Sequence, residues 1–276
     1  YLGHEKTIKQ NEFFIYLKSL LLKKKYIVIF IMLNHFLILA FNEELLLKKT
    51  FMELKEVIRD TKLDNYRIYI VDDGSADKTL EVTNQLKAEI DTEIKIIINK
   101  KNIGTANSIK NFIKEQESGN LFIISGDNDL DKNLVKNLIY GSKNSDFVLS
   151  YYINREEKGW LRANISTLFN LILCTLFNVY AFYLQGPVVW PIKIIKNFKI
   201  SSSGIAYASE VNIKLLNSGL TFVEVPGHMN TGSANSTSIK LKNFLDIIKT
   251  IISLFIEIFV KKKFTKKSKR LLFLHK

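Results

Sequence analysis

Residues 66–79 read Tyr-Arg-Ile-Tyr-Ile-Val-Asp-Asp-Gly-Ser-Ala-Asp-Lys-Thr, an apolar run that ends in two acids, a glycine and a serine. The run is short and rich in β-branched and aromatic residues, which is typical of a buried strand. The polar residues after it favour a turn, and Asp77 stands where it would cap a following helix. This stretch therefore predicts a strand, a turn and a helix, with acids at the carboxyl end of the strand.

The same alternation of short apolar runs and helix-like stretches continues on both sides of this unit. Predicted strands cover 36–41, 66–71, 94–98, 121–125 and 147–151, and predicted helices cover 43–60, 78–90, 104–116 and 131–142. The alternation favours an α/β fold with a mainly parallel sheet that helices cover on both faces. Because ligands of such sheets bind at the carboxyl ends of the strands, the segments directly after the strands are the candidate site.

Composition limits the classes of function. The chain has 276 residues, of which 47% are hydrophobic, so it can bury a substantial core. Its one cysteine, Cys174, excludes an internal disulfide and a cysteine-rich zinc site, and it favours a reducing, cytoplasmic location. The net charge of +13 indicates an anionic partner, and residues 261–276 hold eight of the 40 Lys and Arg residues and no acid.

A second predicted strand end carries three carboxylates. Asp127, Asp129 and Asp131 follow the apolar run Phe-Ile-Ile-Ser at every second position. Carboxylate oxygens are preferred ligands of Mg²⁺ and Mn²⁺, which keep positions open for substrate phosphates. A helix–loop–helix calcium site is excluded, because Lys132 and Leu138 stand where such a loop needs Gly and Glu. An acidic turn in which Asp131 caps a helix remains the alternative.

In their order along the chain, these segments resemble the family-2 glycosyltransferases of the GT-A fold, and especially the dolichyl-phosphate mannose synthase-like, polyprenyl-phosphate branch. The resemblance covers about residues 35 to 248 and is carried by Ala40-Phe41-Asn42-Glu43, Val71-Asp72-Asp73-Gly74-Ser75-x-Asp77-x-Thr79, Asn102-x-Gly104-x-Ala106 and Asp127-x-Asp129. It implies a Rossmann-like, nucleotide-diphospho-sugar transferase fold. It also implies an inverting enzyme that moves a sugar from a UDP- or GDP-linked donor to a polyprenyl phosphate.

The resemblance also implies roles for individual residues. The donor nucleotide would contact Phe41, Glu43, Val71, Asp72, Asp73 and Asn128. A Mg²⁺ or Mn²⁺ ion on the donor diphosphate would be held by Asp127, Asp129 and Asp131. Asp129 and Glu210 would be the catalytic acids, and a buried structural acid is an equally good interpretation of Glu210.

The acceptor side has a separate signal in the largely apolar stretch 160–180. Arg162, Ser166 and Asn170 follow one another at four-residue steps, which places them on one face of a helix. A guanidinium with a hydroxyl one turn away is a plausible phosphate receptor, and a solvated polar stripe on a core helix is the alternative. The resemblance favours the first, because in this branch an Arg-x-x-x-Ser binds the lipid phosphate.

The end of the chain predicts contact with a membrane. Residues 244–260 are apolar except for a narrow polar stripe of two acids, a lysine and two hydroxyls, which favours an interfacial helix over a membrane span. The basic residues that follow would bind an anionic leaflet, so the protein is expected at the cytoplasmic face of the membrane. A helix that packs on the catalytic domain or a partner subunit is the alternative. The predicted domains are an N-terminal extension (1–34), a GT-A catalytic domain (35–242) and a membrane-surface helix with basic tail (243–276).

Some positions depart from the family pattern. Leu39 replaces the usual Pro, Phe41 replaces Tyr, the strand ending at Tyr152 lacks an Arg unless Arg155 substitutes, and residues 230–238 lack basic side chains. Three other functions remain possible interpretations of the sequence. The first is transfer to a sugar hydroxyl, and the second is sugar-1-phosphate nucleotidyl transfer, although the Gly-rich loop that this reaction needs is missing. The third is non-enzymatic binding of a membrane or nucleic acid. The last leaves the three carboxylates unexplained, so nucleic acid is not an expected partner. A membrane-protein partner or a second copy of the chain remains open.

Overall fold

The computed structural model describes residues 32–90, 94–230 and 241–274. The strands are β1 Asn34–Ala40, β2 Tyr66–Asp72, β3 Ile94–Ile98, β4 Asn120–Ser125, β5 Phe147–Tyr152, β6 Val188–Pro191, β7 Thr221–Gly227 and β8 Lys269–Arg270. The α-helices are α1 Leu47–Asp60, α2 Thr79–Glu89, α3 Thr105–Glu115, α4 Lys132–Ser142, α5 Trp160–Leu176, α6 Ile192–Ile195, α7 Tyr207–Leu216 and α8 Leu241–Phe255. A 3₁₀ turn at Arg155–Lys158 precedes α5, and a π-helical turn at Ile256–Val260 follows α8. The predicted N-terminal extension lies almost wholly outside the described residues.

The strands form one eight-stranded sheet in the order β3-β2-β1-β4-β6-β5-β7-β8. β1 lies between β2 and β4 and is parallel to both, and only β6 runs antiparallel to its neighbours. In this register Ala40 lies opposite Asp72, and Leu39 lies opposite both Val71 and Ser125. The carboxyl ends of β1, β2 and β4 therefore meet at one edge of the sheet.

Apolar side chains fill both faces of the sheet, as the alternating pattern predicts. One buried cluster joins α1 and α4 to the sheet through residues such as Phe51 and Leu138, and the other joins α3 and α7 to it through residues such as Phe112 and Val211. The mixed, mostly parallel α/β architecture predicted from the sequence is confirmed. The predicted strand and helix bounds agree with the observed ones to within a few residues.

The C-terminal segment, predicted as a membrane-surface element, packs on the catalytic domain along one side. The described residues from 33 onward belong to one compact unit, and β8 adds to the sheet edge beside β7. On α8, Asp246 accepts a hydrogen bond from the Ser202 hydroxyl (2.6 Å), and Leu254 is buried. One face of α8 therefore packs on the catalytic domain, as the alternative interpretation of the sequence expects.

In the described part of the chain, the helices are all too short or too polar to cross a membrane.

Candidate active site

Hydrogen bonds tie the loop after β1 to the loop after β2. The backbone N–H of Asn42 donates to the Ser75 hydroxyl (3.0 Å), and the Asn42 side-chain oxygen accepts from the backbone N–H of Ala76 (2.8 Å). The backbone N–H of Glu43 donates to the Thr79 hydroxyl (2.7 Å). Asn42 adopts a left-handed conformation (φ 59°), which asparagine tolerates better than most residues. The two loops therefore form one rigid rim.

Asp73 anchors this rim to the start of α3. Its carboxylate accepts hydrogen bonds from the backbone N–H groups of Ile103 (3.1 Å) and Gly104 (2.8 Å), from the Asn99 amide (2.8 Å) and from the Ser108 hydroxyl (3.3 Å). The side chain is 7% exposed. The structure thus gives the Asp73 carboxylate a structural role, and a contact with ribose or base remains a prediction.

Asp72 and the glycine after Asp73 shape the same turn. One Asp72 oxygen accepts from the backbone N–H of Ser75 (3.0 Å). Gly74 has a φ of +74°, and a Cβ atom there would lie 2.6 Å from the backbone carbon of Lys101. Any other residue would therefore push the turn away from the neighbouring loop.

Val71 and Phe41, two further residues predicted to contact the donor, differ in exposure. The Val71 side chain is buried in the sheet and packs beneath the loop that follows β2. Phe41 is 43% exposed at the end of β1 and offers a flat apolar face beside the rim. A nucleotide base stacks readily on such a face.

Three carboxylates gather at the adjoining ends of β1 and β4. The pKa of Glu43 is raised from 4.5 to about 7, first by burial and then by the negative charges of Asp127, Asp77 and Asp129. The Glu43 carboxyl group therefore lies within electrostatic range of Asp127 and Asp129. A cation placed among them would offset their negative charges.

Within 32–90, 94–230 and 241–274, no group of three or more His, Cys, Asp or Glu side chains could hold a metal ion. A cation at this edge of the sheet would need further ligands, such as substrate phosphates. Asp131, predicted as a third ligand, caps α4 and accepts from the backbone N–H of Asn133 (2.6 Å). Asp127 and Asp129 remain as the candidate pair. Mg²⁺ is commonly bound by one or two carboxylates together with substrate phosphates.

Asn128, predicted to contact the donor, has its side chain directed toward α1 instead. It is 6% exposed and left-handed (φ 56°), and its amide lies between Glu53 and Lys49 of α1. With its nitrogen toward Glu53, it donates to that carboxylate (3.0 Å) and accepts from the Lys49 ammonium group (3.2 Å). Its contacts therefore fix α1 against the β4–α4 loop, which corrects the predicted role.

The polar stripe on α5 faces the domain, whereas the apolar side of this helix faces outward. The Ser166 hydroxyl donates to the Tyr183 hydroxyl (3.2 Å), and the Asn170 amide donates to the backbone oxygen of Ala181 (3.0 Å). Arg162, one turn earlier, is exposed. The large apolar side chains exposed along α5 are Trp160, Leu161, Ile165, Leu168, Leu171, Ile172 and Leu176. The helix is thus neither a core helix nor a helix with a solvated polar face.

Three residues that the sequence did not assign connect α5 to the carboxylates. The Arg155 guanidinium lies 4.2 Å from the ring centroid of Tyr183, and its Nη2 is buried without a hydrogen-bond partner among the residues that the structure describes. The ring of Tyr152 lies 6.4 Å from that of Tyr183. Burial raises the pKa of Tyr152, and the charge of Asp129 raises it further, so this ring lies close to the candidate metal site. Of the three, only Arg155 had a signal in the sequence, since it follows the strand that lacks the expected arginine.

Glu210, predicted as a catalytic acid, is a buried structural residue. It is 0% exposed, and its carboxylate accepts from the backbone N–H of Ser202 (2.8 Å) and pairs with Lys214 (2.9 Å). Lys214 is equally buried and also pairs with Glu257 after α8 (3.2 Å). Glu210 therefore ties α7 to the C-terminal segment.

Comparison with known proteins agrees with this arrangement. The model of the family "Glycosyl transferase family 2" matches residues 36–186, and the chain belongs to this family. The chain is 29% identical over 120 residues to the uncharacterized glycosyltransferase YkcC of Bacillus subtilis (strain 168). That alignment covers 44% of this chain and 36% of the relative, so only about a third of the relative's length is matched.

Solved structures share the fold at low identity. Residues 1–349 of TarS from S. aureus, in complex with UDP-GlcNAc, match with a TM-score of 0.54 at 13% identity, over 82% of this chain and 67% of that one. Glucosyl-3-phosphoglycerate synthase from Mycobacterium tuberculosis, in complex with Mg²⁺ and UDP, matches with a TM-score of 0.55 at 12% identity, over 82% and 79%. Mannosyl-3-phosphoglycerate synthase from Rubrobacter xylanophilus matches with a TM-score of 0.55 at 13% identity, over 84% and 75%. These similarities establish the GT-A fold.

Proposed function

We propose that the protein is an inverting glycosyltransferase that moves a sugar from a nucleotide-sugar donor to a polyprenyl phosphate at the cytoplasmic face of a membrane. The observation that carries the lipid acceptor is the orientation of α5. Its Ser166 hydroxyl faces the domain, Arg162 is exposed one turn earlier on the same side, and the opposite side exposes a row of large apolar side chains. A helix built in this way suits a substrate with a charged head and a hydrocarbon chain.

The donor binds along the rim formed by the β1–α1 and β2–α2 loops. Phe41 stacks on the base, and Glu43 and the turn at Asp72 contact the nucleoside. Because the rim is held by backbone and side-chain hydrogen bonds before substrate arrives, little ordering is needed on binding. UDP-linked and GDP-linked sugars both fit this description. The fold neighbours in complex with UDP or UDP-GlcNAc support the first.

A Mg²⁺ or Mn²⁺ ion held by Asp127 and Asp129 would neutralise charge on the diphosphate leaving group. The raised pKa of Glu43 supports this proposal, since it reports negative charge concentrated beside these two acids. Fold neighbours with Mg²⁺ or Mn²⁺ bound support it as well. Asp129 also lies close to Tyr152 and so to the acceptor side, which makes it the carboxylate shared by both substrates.

On the acceptor side, Arg162 and Ser166 bind the phosphate head, and the buried Nη2 of Arg155 supplies a further donor. A phosphate monoester has a second pKa near 6 and is largely ionised at neutral pH, so it needs no general base. One of its oxygens attacks the anomeric carbon from the face opposite the leaving group. The new carbon–oxygen bond forms as the bond to the nucleoside diphosphate breaks, and the configuration at this carbon inverts.

Membrane contact extends from α5 to α8. The large apolar side chains exposed along α8 and the π-helical turn after it are Leu245, Ile248, Ile252, Phe255, Ile256, Phe259 and Val260. Phe259 stacks against Phe177, the residue directly after α5, at a centroid distance of 6.4 Å. Exposed Lys261, Lys262 and Lys263 follow directly, where anionic headgroups would meet them. We call these two helix faces together the apolar platform.

The test is a transfer assay with radiolabelled nucleotide sugars, Mn²⁺ or Mg²⁺, and polyprenyl phosphate in detergent. Label is expected to enter the organic phase, and Asp129→Asn is expected to lower the rate by about a hundredfold or more. Asp64→Asn, which changes an exposed carboxylate away from the site, is the matched control and retains the wild-type rate. Label that enters only water-soluble glycan would contradict the lipid acceptor. An unchanged rate in Asp129→Asn would contradict the metal site.

A further inference from the structure

The C-terminal strand β8 contacts the segment that carries Tyr183. The Arg270 guanidinium forms an ion pair with Glu224 of β7 (2.5 Å) and donates to the backbone oxygen of Tyr180 (2.9 Å). It also lies over the rings of Tyr180, Phe182 and Phe222, with centroid distances of 4.7, 5.2 and 5.5 Å. One side chain of the basic tail is thus built into the protein rather than left in solvent.

Glu224 links Arg270 to the backbone of the segment that carries Tyr183. Its Oε1 accepts a hydrogen bond from the backbone N–H of Phe182 (2.6 Å), and its side chain is 3% exposed. Burial raises the pKa of this carboxyl group, while the Phe182 N–H and the Arg270 charge oppose that shift. A carboxylate this deeply buried stays charged only while a cation is paired with it. Arg270 is that cation.

The segment around residues 180–184 is held on its other side by α5. Asn170 donates to the backbone oxygens of Ala181 (3.0 Å) and Phe182 (3.3 Å) and accepts from the Leu184 N–H (2.8 Å). Tyr183 lies between these anchors, with its hydroxyl on Ser166 and its ring against Arg155. Loss of either anchor would free Tyr183 to move relative to the acceptor helix.

We propose that Arg270 is a positioning residue for the acceptor site: through Glu224 it fixes residues 180–184 and thereby the place of Tyr183 beside Ser166 and Arg155. The assignment of these residues to the acceptor rests on the proposed function, whereas the mechanical link does not. The tail therefore has a second role besides any attraction to a membrane. Its lysines at 261–263 are exposed, but Arg270 turns back to set the geometry of the site.

Two measurements test the link, beginning with amide hydrogen exchange over peptides that cover residues 177–186. Arg270→Gln is expected to speed exchange at Phe182, because a buried Glu224 without its cation takes up a proton, and the neutral carboxyl group is a weaker acceptor for this N–H. Arg270→Lys keeps the charge and is expected to restore much of the protection. Lys269→Gln, one residue earlier with an exposed side chain, is the matched control and leaves exchange unchanged. Unchanged exchange in Arg270→Gln would overturn the proposal.

The second measurement separates the two substrates in the transfer assay. Arg270→Gln is expected to raise the KM for polyprenyl phosphate by about fivefold, while the KM for the donor stays within about twofold. Equal rises for both substrates would overturn the proposal, since that result indicates a general loss of structure. If Arg270→Gln does not fold, Glu224→Gln/Arg270→Gln removes both charges without stranding one, and the same outcomes apply. Because hydrogen exchange needs no acceptor, it decides the link even if transfer to lipid phosphate is not found.

Discussion

The donor rim and the acceptor segment of this protein are built in opposite ways. In the rim, the carboxylate of Asp73 alone accepts four hydrogen bonds, and neighbouring loops are joined through backbone N–H groups. On the acceptor side, α5 buries only Leu173 and Cys174, and single side chains such as Asn170 and Glu224 hold the adjoining segment. The proposed nucleotide end of the site is therefore preorganised, whereas the proposed acceptor end depends on a few separable contacts.

The largest expected effect is the loss of the Asp73 anchor. Asp73→Ala leaves the buried N–H groups of Ile103 and Gly104 without partners, and we expect the free energy of unfolding to fall by about 4 kcal/mol. Urea denaturation measures this change. The exposed Asp64→Ala is the control and changes stability by less than about 0.5 kcal/mol. A comparably small effect at Asp73 would show that the rim is not preorganised by this residue.

A smaller loss of stability, without loss of function, is expected at Glu210. Glu210→Gln leaves buried Lys214 with Glu257 as its remaining acid, so we expect the free energy of unfolding to fall by about 3 kcal/mol. The transfer rate per folded molecule is expected to stay within about twofold of wild type. A rate that collapses while stability is unchanged would restore Glu210 as a catalytic acid.

The fold was largely predictable from the sequence because its signals are local. Strands β1 to β5 and helices α1 to α4 each read as a short apolar run or an amphipathic stretch with a turn between them. β6, β7 and β8 were not among the predicted strands, and two of them, β6 and β8, have only four and two residues and depend on distant partners. A strand this short has no periodicity of its own to detect.

The candidate site was predictable where it follows strand ends and was missed where it depends on packing. Asn128 lies in the loop after β4 in a left-handed conformation, which strand periodicity does not predict, so its contacts with α1 were not visible in the sequence. Tyr183 gave no signal, because its contact with Ser166 spans 17 residues and forms only when the chain reverses after α5. Glu210 was ambiguous, and only its burial resolves the ambiguity.

The apolar platform provides a further test of the difference between the two sides of the site, because only the proposed acceptor side contains it. Leu171 is 61% exposed on α5, and Leu171→Ser is expected to weaken partitioning onto anionic lipid vesicles by about 1 kcal/mol, or about fivefold. Vesicle sedimentation measures the change. Leu45→Ser, the same substitution at an 85% exposed residue of the donor side, is the matched control and has no effect. Equal effects at the two positions would contradict an oriented membrane contact.

The smallest effect is the dependence of stability on pH at Glu43. Its folded-state pKa of about 7 lies above its ordinary value of 4.5, so the folded protein retains the proton longer than the unfolded chain. Stability from this group is therefore fully present below pH 4.5 and is lost as the pH rises through about 7. We expect Glu43→Gln to gain Tm relative to wild type between about pH 5 and about pH 8 in EDTA. A constant Tm difference would show that Glu43 is not crowded by the neighbouring acids.

We propose above all that Asp127 and Asp129 bind a divalent cation, which in turn binds the donor diphosphate. Isothermal titration of the protein with a panel of UDP- and GDP-sugars, in Mn²⁺ and again in EDTA, tests it most directly. We expect at least one donor to bind in Mn²⁺ and to lose most of its affinity in EDTA. Binding of equal strength in both conditions, or no binding of any donor in either, would contradict the account.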